Sequence, residues 1–382
     1  MSGPVPTPPG DWLARVEAEA ARLLPAPVRR FVEEGAGEGI TLRESREAWR
    51  SVRLLPRVLV DVSNVRTEAP MLGAVARFPL GVAPMTLQRA AHRDGEVAMA
   101  RGAAEAGVPL VVSSNAGRTF AEIGATGVTW WLQLYLSPDR SDSEGLLAAA
   151  VAAGARAVVL TADTPVVATR SSTTRAGGAG EPGGGADVTV WETADPSWVG
   201  ANATSPTDGL EPARRPRAMD LLPADVTWLA AKTELPVVVK GVLRADDAQR
   251  CVQAGAAAVW LSNHGGRQLD RAVPAARCLQ SVRRAVGSRA EVYVDGGLRS
   301  GLDLLVALAL GADAAFVGRP AFHALAAGGA AGVAEALGSL GAELVEAMRL
   351  AGCPDLAATR EIACPDRGFS VETGPDLREP PV

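Results

Sequence analysis

Residues 256–270 read A-A-A-V-W-L-S-N-H-G-G-R-Q-L-D. The opening run of small and apolar residues reads as a strand buried on both faces, the pattern of a parallel sheet covered by helices. Gly265 and Gly266 end it, and His264 and Arg267 emerge together just past the strand. An imidazole exchanges a proton near neutral pH, and a guanidinium clamps a carboxylate with two parallel hydrogen bonds. A base beside a carboxylate clamp suits chemistry on a 2-hydroxy acid. The plainer alternative for this pattern alone is a glycine-rich turn with solvated His and Arg, and the rest of the chain decides between them.

Working outward, the stretch is one of a series of short apolar runs: PLGVA at 79–83, VPLVV at 108–112, WWLQL at 130–134, RAVVLT at 156–161, PVVVK at 236–240, AAVWLS at 257–262, EVYVD at 291–295 and AAFVG at 314–318. Ala-rich amphipathic stretches such as GEVAMARGAAEAG and ADDAQRCVQAG lie between them, each reading as a helix that stops at a Gly. Eight strands alternating with helices predict an α/β fold, a (β/α)8 TIM barrel. The rival, an open doubly wound sheet, is disfavoured by the count of eight and by the absence of GxGxxG after the first strand. The expected organisation is a helical segment over residues 1–70 packing on the barrel, a barrel over 71–353, and a tail over 354–382. Helical spacing runs from Asp11 to about Glu34, with a second short helix from Thr41 to Trp49. A Gly-, Pro-, Ser- and Thr-rich insert at 171–216, carrying Trp191 and Trp198, follows the fourth strand and reads either as a lid over the barrel mouth or as disorder.

Composition narrows the function. The 382 residues carry a net charge of −5, without the basic bias of a nucleic-acid surface. Cys251, Cys278, Cys353 and Cys364 have no CxxC spacing, and the three histidines lie far apart, so neither a zinc site nor a disulfide framework is expected. Reduced thiols and a cytoplasmic location follow. The opening MSGPVPTPPGDW has no apolar core of the signal-peptide kind, and no uninterrupted apolar stretch is long enough to span a bilayer, so no membrane partner is expected.

In such a barrel chemistry collects at the carboxyl ends of the strands. Ser113-Ser114-Asn115 follow the second run, Gln133 and Tyr135 the third, Thr161 to Pro165 with Arg170 the fourth, and Lys240 ends the fifth. Ser262 and His264 close the sixth, Asp295-Gly296-Gly297 with Arg299 the seventh, and Gly318-Arg319 the eighth. Polar residues at all but the first end are hard to explain by solvation alone. The last two ends form a recurrent phosphate site: glycine backbone amides approach the oxygens and two Arg neutralise the charge.

From roughly Phe31 to Cys353 the chain resembles the FMN-dependent 2-hydroxy-acid oxidases and dehydrogenases, the family of glycolate oxidase, lactate oxidase and mandelate dehydrogenase. The resemblance is carried by AP at 83–84 with AHRDGE at 91–96, LQLY at 132–135, LTADTP at 160–165, VVVKG at 237–241, SNHGGRQLD at 262–270, VDGGLRSG at 294–301 and GADAAFVGRP at 311–320. It implies FMN as cofactor and oxidation of an L-configured 2-hydroxy acid to the 2-oxo acid. The acceptor is oxygen or another species, and a homo-oligomer, a tetramer in the family, is expected. It implies His264 as base, Asp163 as the carboxylate steadying its protonated form, Arg267 and Arg170 as the substrate-carboxylate clamp, and Tyr135 as partner of the substrate hydroxyl. Lys240 is placed beside flavin N1. Ala83, Pro84, Met85, Ser113, Gln133, Thr161 and Ser262 match flavin contacts, and Asp295, Gly296, Gly297, Arg299, Gly318 and Arg319 the ribityl and phosphate contacts. Two positions depart. Phe31 stands where many members carry a carboxylate-bonding tyrosine, and Asn115 where several oxidases carry a large aromatic. Both favour a bulkier or more apolar substrate than glycolate, and they keep open a tailoring oxidase acting on a biosynthetic intermediate, or a 2-hydroxy-acid monooxygenase.

Overall fold

The computed structural model describes residues 11–169, 190, 194–204 and 216–363. A short antiparallel hairpin, β1 (Ala69–Met71) and β2 (Ala74–Ala76), precedes eight strands: β3 (Leu80–Val82), β4 (Leu110–Ser113), β5 (Trp130–Leu134), β6 (Val158–Thr161), β7 (Val237–Val242), β8 (Ala258–Leu261), β9 (Glu291–Val294) and β10 (Ala314–Val317). These eight pair in parallel and close, β10 bonding to both β9 and β3, so the expected barrel is the observed one.

Strand alternation sorts the apolar residues into two cores. On β8, Val259 and Leu261 join the layer shared with the outer helices, while Ala258 and Trp260 face the barrel interior. There Trp260 and Phe316 lie 4.0 Å apart by ring centroid, and Trp131 stacks on Tyr293 at 5.6 Å. Met71 of the hairpin joins this interior core. The hairpin was not foreseen. Three-residue strands leave almost no alternation to read, and β1 straddles the boundary expected at residue 70.

The helical spacing from Asp11 to Glu34 divides into α1 (Asp11–Leu23) and α2 (Ala26–Glu33). Pro25 separates them: it lacks an amide hydrogen and biases the preceding Leu24 away from helical backbone. The next helix, α3 (Ile40–Ser51), is anchored by the stretch quoted first. The Asp270 carboxylate accepts from the Glu38 and Thr41 amides, both at 2.9 Å, so it caps the start of α3 from outside. Asn263 Nδ2 donates to Ser45 Oγ at 2.9 Å, and Trp49 Nε1 to the Gly296 carbonyl at 2.7 Å. Gly266 sits at φ +75°, and a Cβ there would lie 2.6 Å from the Leu42 backbone. Only glycine lets this loop and α3 approach so closely.

Residues 354–363, expected to open a tail, belong to the packed body. Ile362 is fully buried, Leu54 pairs with Ala363, and Arg360 bonds Asp313 at 2.6 Å. Residues 364–382 lie outside the described residues. Among the described residues the helix Arg319–Leu350 is the one long and apolar enough, by length and composition, to cross a bilayer; half of its most apolar window is buried within the fold, and its backbone breaks at Gly328 and Gly329. Its apolar face packs chiefly on the helix Gly95–Ala106 and on α1. Cys251, Cys278 and Cys353 are free thiols, and no metal-ligating cluster occurs among the described residues.

Candidate active site

The carboxyl ends of the barrel strands open into one pocket. Along its inner wall Ser113 Oγ donates to Gln133 Oε1 (3.2 Å), and Gln133 Nε2 to Thr161 Oγ1 (3.0 Å). The chain crosses β4, β5 and β6 and presents a polar edge. Ala83, Pro84 and Met85, just past β3, line the same pocket, as does the buried Asn115.

Lys240 ends the regular part of β7, where the register shifts at Gly241. A Cβ on Gly241 would lie 2.5 Å from that of Asp163, so glycine here brings Asp163 against β7. The ammonium of Lys240 is buried and donates to Ser262 Oγ at 2.7 Å, with Asp295 Oδ2 at 3.2 Å. Burial works against its charge, but Asp295 and Asp163 outweigh burial and hold Lys240 above the ordinary lysine value. The pocket thus keeps a fixed positive charge.

Ser262 corrects an expectation. It is fully buried and does not line the pocket. Its hydroxyl takes the Lys240 proton bond, gives its own to Asp295 (2.6 Å) and accepts the His264 amide (3.0 Å). Ser262 therefore positions lysine and histidine from behind.

His264 lies at φ +58°, in the left-handed region that a residue with a side chain adopts at a cost of about 1–3 kcal/mol. Ser262 pins its amide, and Gly265 and Gly266, both at positive φ, carry the loop onward. Its Nδ1 lies 3.1 and 3.3 Å from the two Asp163 oxygens, leaving Nε2 for a ligand. Thr164, for which no role was foreseen, donates to Asp163 Oδ1 at 3.2 Å. Burial raises Asp163, but the His264 ring, Lys240 and the Thr164 hydroxyl more than reverse this and keep it below the usual carboxylate value. For His264 burial comes first and lowers the ring below its ordinary value, against the pull of Asp163. A neutral imidazole backed by a carboxylate is a base at neutral pH.

Two guanidinium–aromatic pairs frame the rest of the pocket. Arg267 lies 4.5 Å over the Phe31 ring and donates to the Phe31 and Glu34 carbonyls, tying the end of α2 to the site. Arg217 lies 4.5 Å over the Tyr135 ring. Burial raises the Tyr135 hydroxyl, and Arg217 opposes this. No motif pointed to Arg217: it follows the Gly- and Pro-rich insert, where no periodicity exists to place a side chain.

At the opposite end Gly296 and Gly297 both sit at φ +90°, and a Cβ on Gly297 would meet the Ser45 carbonyl at 2.3 Å. Arg319 donates to the Val32 and Gly265 carbonyls (2.8 and 3.0 Å). Arg299 Nε is buried with no hydrogen-bond partner among the described residues, Glu17 approaching only to 3.7 Å. Burial, then Arg46, depress Arg299 to about 10. Arg299, crowded and under-satisfied, fits with Arg319 and the glycine cradle around a phosphate group.

Every residue expected in the site that the structure describes lines the pocket, except Ser262 and Asp163, which stand behind it. Arg170 and Trp191, and most of the insert, lie outside the described residues. Trp198 packs in the cluster that holds Phe31 and Met85.

The family model described as FMN-dependent dehydrogenase matches residues 20–364. A 4-hydroxymandelate oxidase of Amycolatopsis orientalis is 41% identical, covering 92% of this chain and 97% of that protein. An L-lactate oxidase of Nostoc sp. is 39% identical, covering 84% of this chain and 89% of that protein. The crystal structure of a mandelate oxidase with (S)-2-phenylpropionate superposes with a TM-score of 0.80 at 39% identity, covering 92% and 97% of the two chains. A mutant of mandelate oxidase, solved with a C4a-hydroxy-FMN adduct, superposes with the same TM-score at 38% identity, covering 91% of this chain and 98% of that one.

Proposed function

The chain belongs to the FMN-dependent dehydrogenase family, and from that premise we propose the roles of its residues in oxidising a 2-hydroxy acid to the 2-oxo acid. The observation that carries the assignment is the His264–Asp163 pair, 3.1 Å apart, in a pocket also lined by Lys240 and Arg267. Bound FMN supplies the two-electron acceptor. Arg299, Arg319 and the backbone of Gly296, Gly297 and Gly318 hold its phosphate, and Ala83, Pro84, Met85, Ser113, Gln133 and Thr161 flank its ring. Lys240, held charged in the pocket, would place a positive charge beside the ring and favour negative charge there.

Arg267, with Arg170, holds the substrate carboxylate, and Tyr135 bonds the substrate hydroxyl. His264 Nε2 receives a proton as the substrate loses two electrons, and Asp163 stabilises the imidazolium that results. Oxygen, the acceptor its oxidase relatives are named for, would be the final acceptor, leaving as hydrogen peroxide with the two electrons and two protons the substrate gives up. Phe31 and Asn115 shape the pocket for aromatic or branched acids over glycolate, in keeping with relatives named for hydroxymandelate and mandelate. The protein works in the cytoplasm, its thiols reduced. It self-associates through the segment carrying Leu55, Val58 and Leu59, which are 56%, 81% and 104% exposed.

The test is direct. The released cofactor is weighed by mass spectrometry, and the yellow protein is titrated without oxygen against glycolate, lactate and mandelate. FMN released and bleaching by mandelate are expected. FAD, or no bleaching by any 2-hydroxy acid, contradicts the assignment.

A further inference from the structure

The motif AHRDGE at 91–96 ends in a buried carboxyl group that the site described above does not use. Glu96 lies in the first turn of the helix Gly95–Ala106, and its Oε1 accepts the Gly117 amide at 3.2 Å. Its Oε2 has no hydrogen-bond partner among the described residues. Nor have the buried Nε atoms of Arg89 and Arg118, the two guanidinium groups that face it. Charges gathered away from water depend strongly on one another, and losing one leaves the others uncompensated.

This knot grips two pieces of chain at the barrel mouth. One is residues 115–120, which begin with the pocket residue Asn115. The other is residues 195–202. The Ala201 amide donates to the Ala116 carbonyl at 3.0 Å. The Asn202 side chain donates to the Arg118 carbonyl at 2.9 Å and accepts the Phe120 amide at 2.8 Å. Arg89 Nη1 donates to the Ser197 carbonyl at 2.6 Å. A Cβ on Gly117 would lie 2.3 Å from the Trp198 carbonyl oxygen, so only glycine lets the two pieces approach this closely. Gly117 is thus held by Glu96 and pressed by Trp198, two residues from Asn115 in the pocket wall.

The charged groups facing Glu96 are Arg89, on the helix Gln88–Ala91, and Arg118, two residues before the helix Phe120–Gly124. Arg118 also lies 3.8 Å from Asp94 and 3.5 Å from Glu122, and Arg89 faces Asp195. Burial raises Glu96 to about 7, against the pull of its own amide, the Gly117 amide and both guanidinium groups. Ionised, the carboxylate answers two buried cations and the Gly117 amide together. Protonated, it leaves the two cations to repel one another.

We propose that Glu96 is a positioning residue for the substrate pocket: in its ionised form it ties residues 115–120 to residues 195–202 and fixes Asn115 against the side chain of the substrate. The proposal rests on the 2-hydroxy-acid reading above and concerns how the pocket meets the substrate's side chain.

The experiment uses the FMN-loaded parent protein, Glu96→Gln and Glu96→Asp, reduced without oxygen by mandelate and by lactate at pH 6 and pH 8. Saturation gives an apparent dissociation constant and a limiting reduction rate for each acid. Lactate shares the headgroup but offers only a methyl group to the wall. The lactate-to-mandelate ratio of dissociation constants therefore reads the wall and cancels effects on headgroup and cofactor. In the parent that ratio is expected to rise about tenfold from pH 6 to pH 8, the lower end of what a bond to a charged group contributes. Glu96→Gln is expected to keep the low value at both, and Glu96→Asp to recover part of the rise. The limiting rate should keep the acid limb that His264 sets in all three proteins. A parent ratio that does not rise, or a Glu96→Gln ratio that follows the parent's, overturns the proposal and leaves the 2-hydroxy-acid reading standing. The parent profile decides alone if Glu96→Gln does not hold FMN. Flavin in the parent that neither acid bleaches overturns both.

Discussion

Replacing Asp163 with Asn keeps the shape of the site and removes one charge. In the parent, a full positive charge on His264 facing the Asp163 carboxylate at 3.1 Å is worth about 5 kcal/mol at an effective dielectric near 20. Asn retains an acceptor for the ring N–H, so only the charge is lost. With the proton about half transferred in the transition state, roughly half of that energy is missing, about 2–3 kcal/mol. At about 1.36 kcal/mol per tenfold this is a loss near a hundredfold in rate. The assay is anaerobic stopped-flow reduction of the bound flavin at saturating mandelate. The pH profile gives a second reading. His264 must be neutral to act, so activity falls as pH drops through its pKa, which burial holds below the ordinary histidine value while Asp163 pulls it up. Removing Asp163 moves that acid limb to still lower pH, at a lower plateau. Reduction within about threefold of the parent, or an acid limb that moves upward, refutes the assignment of Asp163.

Three more outcomes follow from the geometry. Lys240→Met removes the cation bonded to Ser262 and Asp295; flavin reduction should slow and sulfite bind the flavin more weakly, whereas unchanged sulfite affinity would show that Lys240 does not act on the ring. Phe31→Tyr should shift preference toward glycolate by one bond to a charged group, about 1.5–3 kcal/mol in the kcat/KM ratio, and glycolate emerging as the best substrate of the parent would refute this reading of the pocket. His323, buried with neither ring nitrogen partnered among the described residues, is driven to about 4 by burial and then by Arg299, Arg319 and Arg46. The unfolded chain takes up its proton below about pH 6.5 and the folded one does not, so the apoprotein should lose up to about 3 kcal/mol of stability between there and pH 4. His323→Phe should flatten that loss in urea titrations, and an unchanged slope would count against it.

The barrel and the inner part of the site were legible because strand periodicity and strand-end position carry information together. β5 is the run WWLQL itself, and Gln133 within it meets Ser113 and Thr161 as neighbouring strands require. What the sequence hid depends on contacts between distant segments. The place of Ser262 behind Lys240 follows from three partners, of which only His264 lies close in sequence. Asp270 caps α3 across more than two hundred residues. Arg217 reaches Tyr135 from the far side of an insert without periodicity. The break at Pro25 was missed, although proline ends helices by local chemistry that the sequence carries. The hairpin β1–β2 was not readable, because its strands are too short to show a period.

The central claim is that His264 is the base for oxidation of a 2-hydroxy acid in this pocket. The measurement is anaerobic stopped-flow reduction by mandelate of the parent and of His264→Ala, both loaded with FMN and matched in flavin content. The account predicts that His264→Ala keeps its FMN and is reduced at least about a hundredfold more slowly, the scale of a lost acid–base group. Reduction at a near-parent rate, with FMN fully bound, would contradict it.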